Sequence, residues 1–369
     1  MTEAFDVVVV GMGPGGEVAA SRLLAAGRRV AVVERELIGG ECAYWACIPS
    51  KTLLRPAEAH GEVVRAAGVA GARLDWPAAR DYRDWMIRMP EQSFNAQAPD
   101  PLGASGENAS GVSIRYVGGP TVLLQLGDVR LLTDPTFDPP GDHPVGSRVL
   151  VKTNGPAVST EALGPVDAVV LSHDQHPDNL DTLGREFVAS VPIVLSTASA
   201  RSRLGGTTRA LQNWEKAELD RPNGGVLRVT GVPAQHGPDG TEHIVGEVTG
   251  FVVEGDDLPS VYVSGDNASL NVVRAVAGRL GPVNVAVLFA GAAQTALVPD
   301  AYLTLTSELA AEASRLLGAR VVVPVHFEGW THFTQGRDTL VTAFERGGLA
   351  DRLHLPEPGE WSHLEANPS

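Results

Sequence analysis

Leu171-Ser172-His173-Asp174-Gln175-His176-Pro177-Asp178-Asn179-Leu180-Asp181 sets two histidines and three carboxylates directly behind the apolar run Ala168-Val169-Val170-Leu171. Apolar side chains on a strand can be buried, while the loop beyond it exposes several metal ligands at one point. Neutral imidazole and carboxylate together suit zinc, iron or manganese. Taken alone, the stretch is equally a polar loop leaving a buried strand. The deciding question is whether further His and Asp residues stand at the ends of other strands.

They do. Asp134 closes the run Val129-Arg130-Leu131-Leu132-Thr133, and His236 follows Val226 to Pro233. Asp266 follows Val261-Tyr262-Val263, and His326 follows Val321-Val322-Val323-Pro324-Val325. Any one of these is an ordinary polar residue at a strand end. Five in register predict strands lying side by side in packed sheets, with their ends meeting at one edge. Around them the pattern predicts a hairpin from Val112–Val117 and Thr121–Leu126, and strands at Pro192–Ser196 and Asn284–Phe289. Helices are expected around Leu180–Phe187 and over Ser307–Leu317, the latter with Ser307 as N-cap and Glu308 in its first turn.

With these segments in order, the region from about Val112 to Gly359 resembles the metallo-β-lactamase-fold hydrolases. It is most similar to the cytoplasmic branch resembling ascorbate-phosphate lactonase. The matching pieces are Thr133-Asp134-Pro135, the His173–Asp181 stretch, Gln235-His236-Gly237, Ser264-Gly265-Asp266 and Val325-His326-Phe327. The resemblance implies an α/β fold, an αββα sandwich over 112–369 with a metal site at one edge. It implies zinc, one or two ions, with manganese or iron as alternatives. One ion would be held by His173, His176 and His236 with Asp266 shared, and a second by Asp178, Asp266 and His326. Asp178 would be catalytic, orienting a metal-bound hydroxide against a small ester, lactone or phosphoester. Asp134 would fix a histidine by a hydrogen bond, and Asn179 and His332 would border the pocket.

The family's usual signature is His-x-His-x-Asp-His, and here the stretch departs from it. Gln175 stands where the second histidine belongs, with His176 one place later, and Asp178-Asn179 replaces Asp-His. One inserted residue lets His176 take the second place, whereas Asn179 is a poor substitute for imidazole. A single-metal site, and a metal-binding protein without catalysis, therefore stay open.

The N-terminal region carries a second pattern. A strand, Phe5 to Val10, runs into Gly11-Met12-Gly13-Pro14-Gly15-Gly16, then a helix from Glu17 to Ala26 and a strand ending on Glu34. That order is a dinucleotide fold, in which the glycines admit a pyrophosphate at a helix N-terminus and the acid holds a ribose hydroxyl. Cys42 and Cys47 follow in Gly40-Glu41-Cys42-Ala43-Tyr44-Trp45-Ala46-Cys47. Residues 5–88 resemble the FAD-dependent pyridine nucleotide–disulfide oxidoreductases. The resemblance implies a partial Rossmann-like βαβ segment over 1–89, FAD on Gly11, Gly13, Gly16 and Glu34, and a redox dithiol in Cys42 and Cys47. No second GxGxxG follows residue 16, and Gly265-Asp266 belongs to the metal pattern. The expected state is a flavoprotein fragment that does not cycle, a working dithiol oxidoreductase being the alternative.

Between the two regions, 90–111 is rich in Pro, Gly, Ser, Asn and Gln and reads as a linker. A chain of 369 residues is expected to hold two domains. The net charge of −15 repels nucleic acid and anionic membranes, leaving a small-molecule substrate as the expected partner. An acidic N-terminus, the lack of a long apolar run and only two cysteines point to the cytoplasm. Oligomeric state is not readable from the sequence.

Overall fold

A computed structural model describes residues 5–34, apart from 12, and residues 111–364, apart from 147 and 223. Cys42, Cys47 and the expected linker up to residue 110 lie outside the described residues. The chain divides into two compact units, Met1–Ser105 and Gly106–Ser369.

In the first unit, β1 (Val7–Val10) and β2 (Val30–Val33) pair in parallel, with α1 (Pro14–Ala25) as the crossover that a parallel pair requires. The helix starts at Pro14, earlier than the expected Glu17. Proline is at home there, because its missing N–H is one that the first turn leaves unbonded anyway. Gly11, at φ +90°, makes the turn out of β1.

The second unit opens with a meander of β3 (Val112–Gly118), β4 (Thr121–Leu126) and β5 (Val129–Thr133). A separate hairpin follows, β6 (Gly141–Val145) and β7 (Arg148–Lys152). Then β8 (Ala168–Val170), β9 (Val194–Ser196) and β10 (Thr208–Ala210) add to β5 in parallel. The helices α2 (Thr182–Val188) and α3 (Ala198–Leu204) make their crossovers. The second sheet holds β11 (Lys216–Asp220), β12 (Val226–Pro233), β13 (Thr249–Gly255), β14 (Leu258–Val263), β15 (Val285–Phe289) and β16 (Val321–Val325). Its parallel half, β14 to β16, is connected by α4 (Leu270–Leu280) and α5 (Ser307–Leu316). After α6 (Arg337–Arg346), β17 (Trp361–Leu364) returns to the first sheet beside β3, giving the order β10-β9-β8-β5-β4-β3-β17.

Three apolar layers hold this together. Ile114, Leu124, Leu131 and Val170 of the first sheet are buried with Leu227, Phe251, Val287 and Val325 of the second. Outside the first sheet, Leu123, Leu132 and Val169 meet Leu163, Leu180 and Val188. Outside the second, Val252, Tyr262 and Leu288 meet Val276, Ala310, Leu340 and Phe344. Strands covered on both faces read as unbroken apolar runs, as in Val285–Phe289, where every residue is buried. The result is the expected αββα sandwich.

Strand direction places the site. β5 and β8 run the same way, and β12 runs with β14 and β16 because two antiparallel steps separate β12 from β14. Asp134, His173, His236, Asp266 and His326 all follow the C-terminal ends of these strands. Two helix starts differ from expectation by a residue or two. Thr306, not Ser307, caps α5, its hydroxyl accepting from Leu309 N at 3.2 Å. Asp181 caps α2, accepting from Gly184 N at 2.8 Å. The β6–β7 hairpin, β11, β13 and β17 carry no clear sequence signal. Among the described residues no helix is long and apolar enough to cross a membrane.

Candidate metal centre

His173 is fully buried two residues beyond Leu171, and its orientation is set by a chain of hydrogen bonds. Ser172 donates twice to Asp134, from its backbone N to Oδ1 at 2.6 Å and from its hydroxyl to Oδ2. With its proton given to Asp134, the Ser172 oxygen accepts from His173 Nδ1 at 3.0 Å. That leaves a lone pair on His173 Nε2. His236 reaches the same state, since its Nδ1 lies 2.9 Å from the carbonyl of Leu303, which can only accept. His176 brings Nδ1 to 3.0 Å from His173 Nε2 and 3.3 Å from His236 Nε2. Three imidazole nitrogens thus face one point. Burial, the largest effect, and the neighbouring imidazoles hold His173 well below the usual histidine range and bring His176 down to about 4. Both are neutral at pH 7, the form that ligates metal.

Beside this trio lies Asp266, with Oδ2 3.5 Å from His236 Nε2 and 3.9 Å from His173 Nε2. Its Oδ1 is 3.3 Å from His326 Nε2, which also stands 3.4 Å from Asp178 Oδ2. Burial alone would protonate both carboxylates. The neighbouring imidazoles outweigh burial: His326 and His236 hold Asp266 below the usual carboxylate range, and His332 and His326 do the same for Asp178. Burial opposes charge on His326 too, yet Asp266 and Asp178 push it up to about 10. Asp134, more deeply desolvated than its hydrogen bonds from Ser172 and Asn179 can offset, rises to about 7.

The donor atoms therefore form two groups sharing Asp266. One atom each from His173, His176, His236 and Asp266 lies within 4.8 Å of the others, and so does one each from Asp178, Asp266 and His326. Several buried atoms here lack a hydrogen-bond partner among the described residues: both ring nitrogens of His326, Asp178 Oδ1, Asn179 Oδ1 and His332 Nδ1. A buried polar atom left unpaired costs about 1–3 kcal/mol. A divalent transition metal suits this mixture of nitrogen lone pairs and ionised carboxylates, and the residues fit one. Backbone geometry supports the same edge, since Asp134 (φ 22°) and His326 (φ 55°) adopt conformations uncommon for residues with a side chain. Gly265 (φ +56°) has no alternative: a Cβ there would stand 2.6 Å from Thr249 O and 2.8 Å from Ser172 Cβ.

The departures from the expected signature resolve locally. Gln175 turns away from the cluster, its amide oxygen accepting from Arg203 Nη2 at 3.2 Å and Glu247 N at 3.3 Å. His176 then stands beside His173 and His236. Asn179 aims its amide nitrogen at Asp134 Oδ2 (3.0 Å) and Asp266 Oδ1 (3.2 Å), so it braces carboxylates instead of offering a nitrogen ligand. Asp134 does not touch a histidine directly, contrary to expectation. Ser172 intervenes because Asp134 lies one strand over, level with Ser172. His332 places Nε2 3.0 Å from Asp178 Oδ2.

The other two acids of the stretch serve the fold. Asp174 pairs with Arg203 and Arg185, and Asp181 takes the buried Lys152 Nζ at 2.9 Å. Sequence reading also missed Ser172 and the Phe333 ring, which packs 4.7 Å from His326 and 4.4 Å from His332. A hydroxyl beside a histidine was the available signal for Ser172, and none marked Phe333.

In the first unit, Gly13 caps α1 without a side-chain acceptor, and Gly16 lies in the helix's first turns. Among the described residues, a Cβ on Gly11 or Gly13 would meet nothing within 4 Å. Glu34 directly follows β2.

Comparison with known proteins gives two family matches. A model described as β-lactamase superfamily domain matches residues 129–327, and one described as pyridine nucleotide-disulphide oxidoreductase matches residues 5–105. Among curated relatives, dihydrolipoyl dehydrogenase of Rhizobium etli is 55% identical over 58 residues, 16% of this chain and 12% of that one. Against such dehydrogenases the chain spans between 12% and 35% of their length. Among solved structures, an isothiocyanate hydrolase from Delia radicum gut bacteria is 22% identical with TM-score 0.58, covering 69% of this chain and 99% of that one. A possible metal-dependent hydrolase from Veillonella parvula is 18% identical with TM-score 0.59, covering 69% and 100%. These likenesses concern the fold.

Proposed function

The chain belongs to the metallo-β-lactamase superfamily of hydrolases, and from that premise we propose that it hydrolyses a small ester, lactone or phosphoester with a divalent metal, zinc first among the candidates. The observation that carries this reading is the convergence of three imidazole nitrogens on one point beside two ionised, buried carboxylates. His173 and His236 would hold the metal through Nε2, His176 through Nδ1 and Asp266 through its carboxylate, with Asp178 and His326 able to hold a second ion. Bound there, the metal supplies Lewis acidity, polarising a carbonyl or phosphoryl oxygen and acidifying water.

The chain's own groups do the rest. Ser172 and the Leu303 carbonyl fix the ring tautomers that present lone pairs. His332 holds Asp178 by Oδ2, leaving Oδ1 without a hydrogen-bond partner among the described residues. That free oxygen is the atom that orients the attacking water and accepts its proton. Phe333 walls the His326 side with apolar surface. The test is hydrolysis of aryl esters, lactones and phosphodiesters by the metal-loaded full chain, before and after chelation. Turnover abolished by chelator and restored by metal supports the reading; turnover indifferent to chelator removes it.

For the first unit we propose a flavin-holding fragment without a catalytic cycle. The glycine turn ahead of α1 and the match over residues 5–105 support FAD binding. FAD that stays with the protein through gel filtration, without lipoamide or NADH oxidation, is the expected result. Steady NADH-dependent disulfide reduction would favour the dithiol oxidoreductase instead.

A further inference from the structure

We propose that Arg148 recognises an anionic group of the substrate, a carboxylate or a phosphate, at the mouth of the metal centre. The proposal rests on the hydrolase reading and names the substrate class it serves.

Arg148 opens β7 in the hairpin that stands outside both sheets. Its Nη1 reaches across to the loop after β15, donating to Thr295 Oγ1 at 2.6 Å. Thr295 lines a cavity of about 300 Å³ with Gln294, Ala296, Val298, Asp300 and Ala301. The loop that carries the cavity is tied to the centre on both sides. Gln294 N donates to His332 O at 3.2 Å, and Leu303 O fixes His236 Nδ1 at 2.9 Å.

What sets Arg148 apart is its company. Lys152, at the other end of the same strand, is paired with Asp181, and Arg185 and Arg203 share Asp174. The hydrogen bond of Arg148 among the described residues goes to a neutral hydroxyl, leaving most of its five N–H donors available. A half-buried guanidinium with no carboxylate partner among the described residues, bonded to the loop that flanks the metal centre, is arranged to meet an incoming anion with two parallel hydrogen bonds. On a chain of net charge −15, an anionic substrate needs such a local cation to approach. Asp300, the one carboxylate among the described residues lining the cavity, is exposed, where water screens it.

The test compares wild type, Arg148→Ala and Arg148→Lys as metal-loaded full chains. The substrates are a neutral p-nitrophenyl ester, its analogue with a terminal carboxylate, and a p-nitrophenyl phosphodiester. Calorimetric titration with acetate and with inorganic phosphate gives a binding readout that needs no turnover. Arg148→Ala should lose on the order of 10- to 100-fold in affinity for the matching anion and in kcat/KM for the matching substrate, chiefly through KM. The neutral ester and the metal content should stay within about 3-fold, and Arg148→Lys should recover part of the loss. Loss with carboxylates alone, or with phosphates alone, identifies the group. Equal anion binding by wild type and Arg148→Ala, or an equal loss on charged and neutral substrates, overturns the proposal. If no substrate is turned over but anion binding still depends on Arg148, the hydrolase reading fails and the anion site stands.

Discussion

Asp134 and His173 act on each other through Ser172, whose hydroxyl donates to Asp134 and accepts from His173 Nδ1 at 3.0 Å. Removing the hydroxyl leaves His173 free to take either tautomer and leaves Asp134 Oδ2 with Asn179 as its hydrogen-bond donor. Ser172→Ala should weaken metal affinity by about 10- to 100-fold, as loss of a group orienting a metal-bound histidine does. Competition with a chromogenic chelator measures it. An unchanged affinity would mean that the relay does not set the ring.

His332 tests a different relationship. Its bond to Asp178 Oδ2 is made to an ionised group, an interaction worth about 1.5–3 kcal/mol. His332→Ala should lower kcat by roughly 10- to 100-fold while metal equivalents stay as in wild type. Loss of metal together with activity would instead make His332 a ligand.

The pH dependence of the metal-free protein follows from His326. Its pKa is about 10 when folded, against ~6.5 for an unfolded chain. A group that binds its proton more tightly when folded contributes stability that is fully present below ~6.5 and is lost as pH rises through about 10. The melting temperature of chelator-treated protein should therefore fall between pH 7 and about 10. His326→Gln should flatten that slope. Metal binding at His326 displaces the same proton, so loading at pH 7 should release it, as calorimetry in buffers of different ionisation enthalpy would register.

Asp181 separates structure from ligation within a single stretch. It takes the buried Lys152 ammonium at 2.9 Å and the backbone amides of Phe137, Asp138 and Gly184 at 2.7–2.9 Å. Asp181→Ala strands a buried charge and should cost about 3–5 kcal/mol in denaturant unfolding. The protein that still folds should keep its metal.

The contrast between Asp178 and Asp181 shows where sequence stops being informative. Both are acids in one loop, and only three-dimensional neighbours decide that one meets His326 and the other Lys152. The sandwich and the five strand ends were legible because a strand buried on both faces leaves an unbroken apolar run, and each run ended in one polar residue. The position of His176 beside His173 and His236 was legible too, from the single inserted residue. Long-range partners were not. Nothing in the pattern tells that Leu303 O would fix His236, that Arg148 would reach Thr295, or that a serine would separate Asp134 from His173. Those contacts depend on loop paths, which hydrophobic periodicity does not encode.

The central claim is that His173, His176, His236 and Asp266 hold a catalytic metal. Elemental analysis of the purified full chain, paired with His236→Ala, tests it most directly. The wild type should carry about one to two equivalents of transition metal, and His236→Ala should lose most of it along with hydrolysis. Less than about half an equivalent in wild type after reconstitution, or a His236→Ala variant with full metal and full activity, would contradict the account.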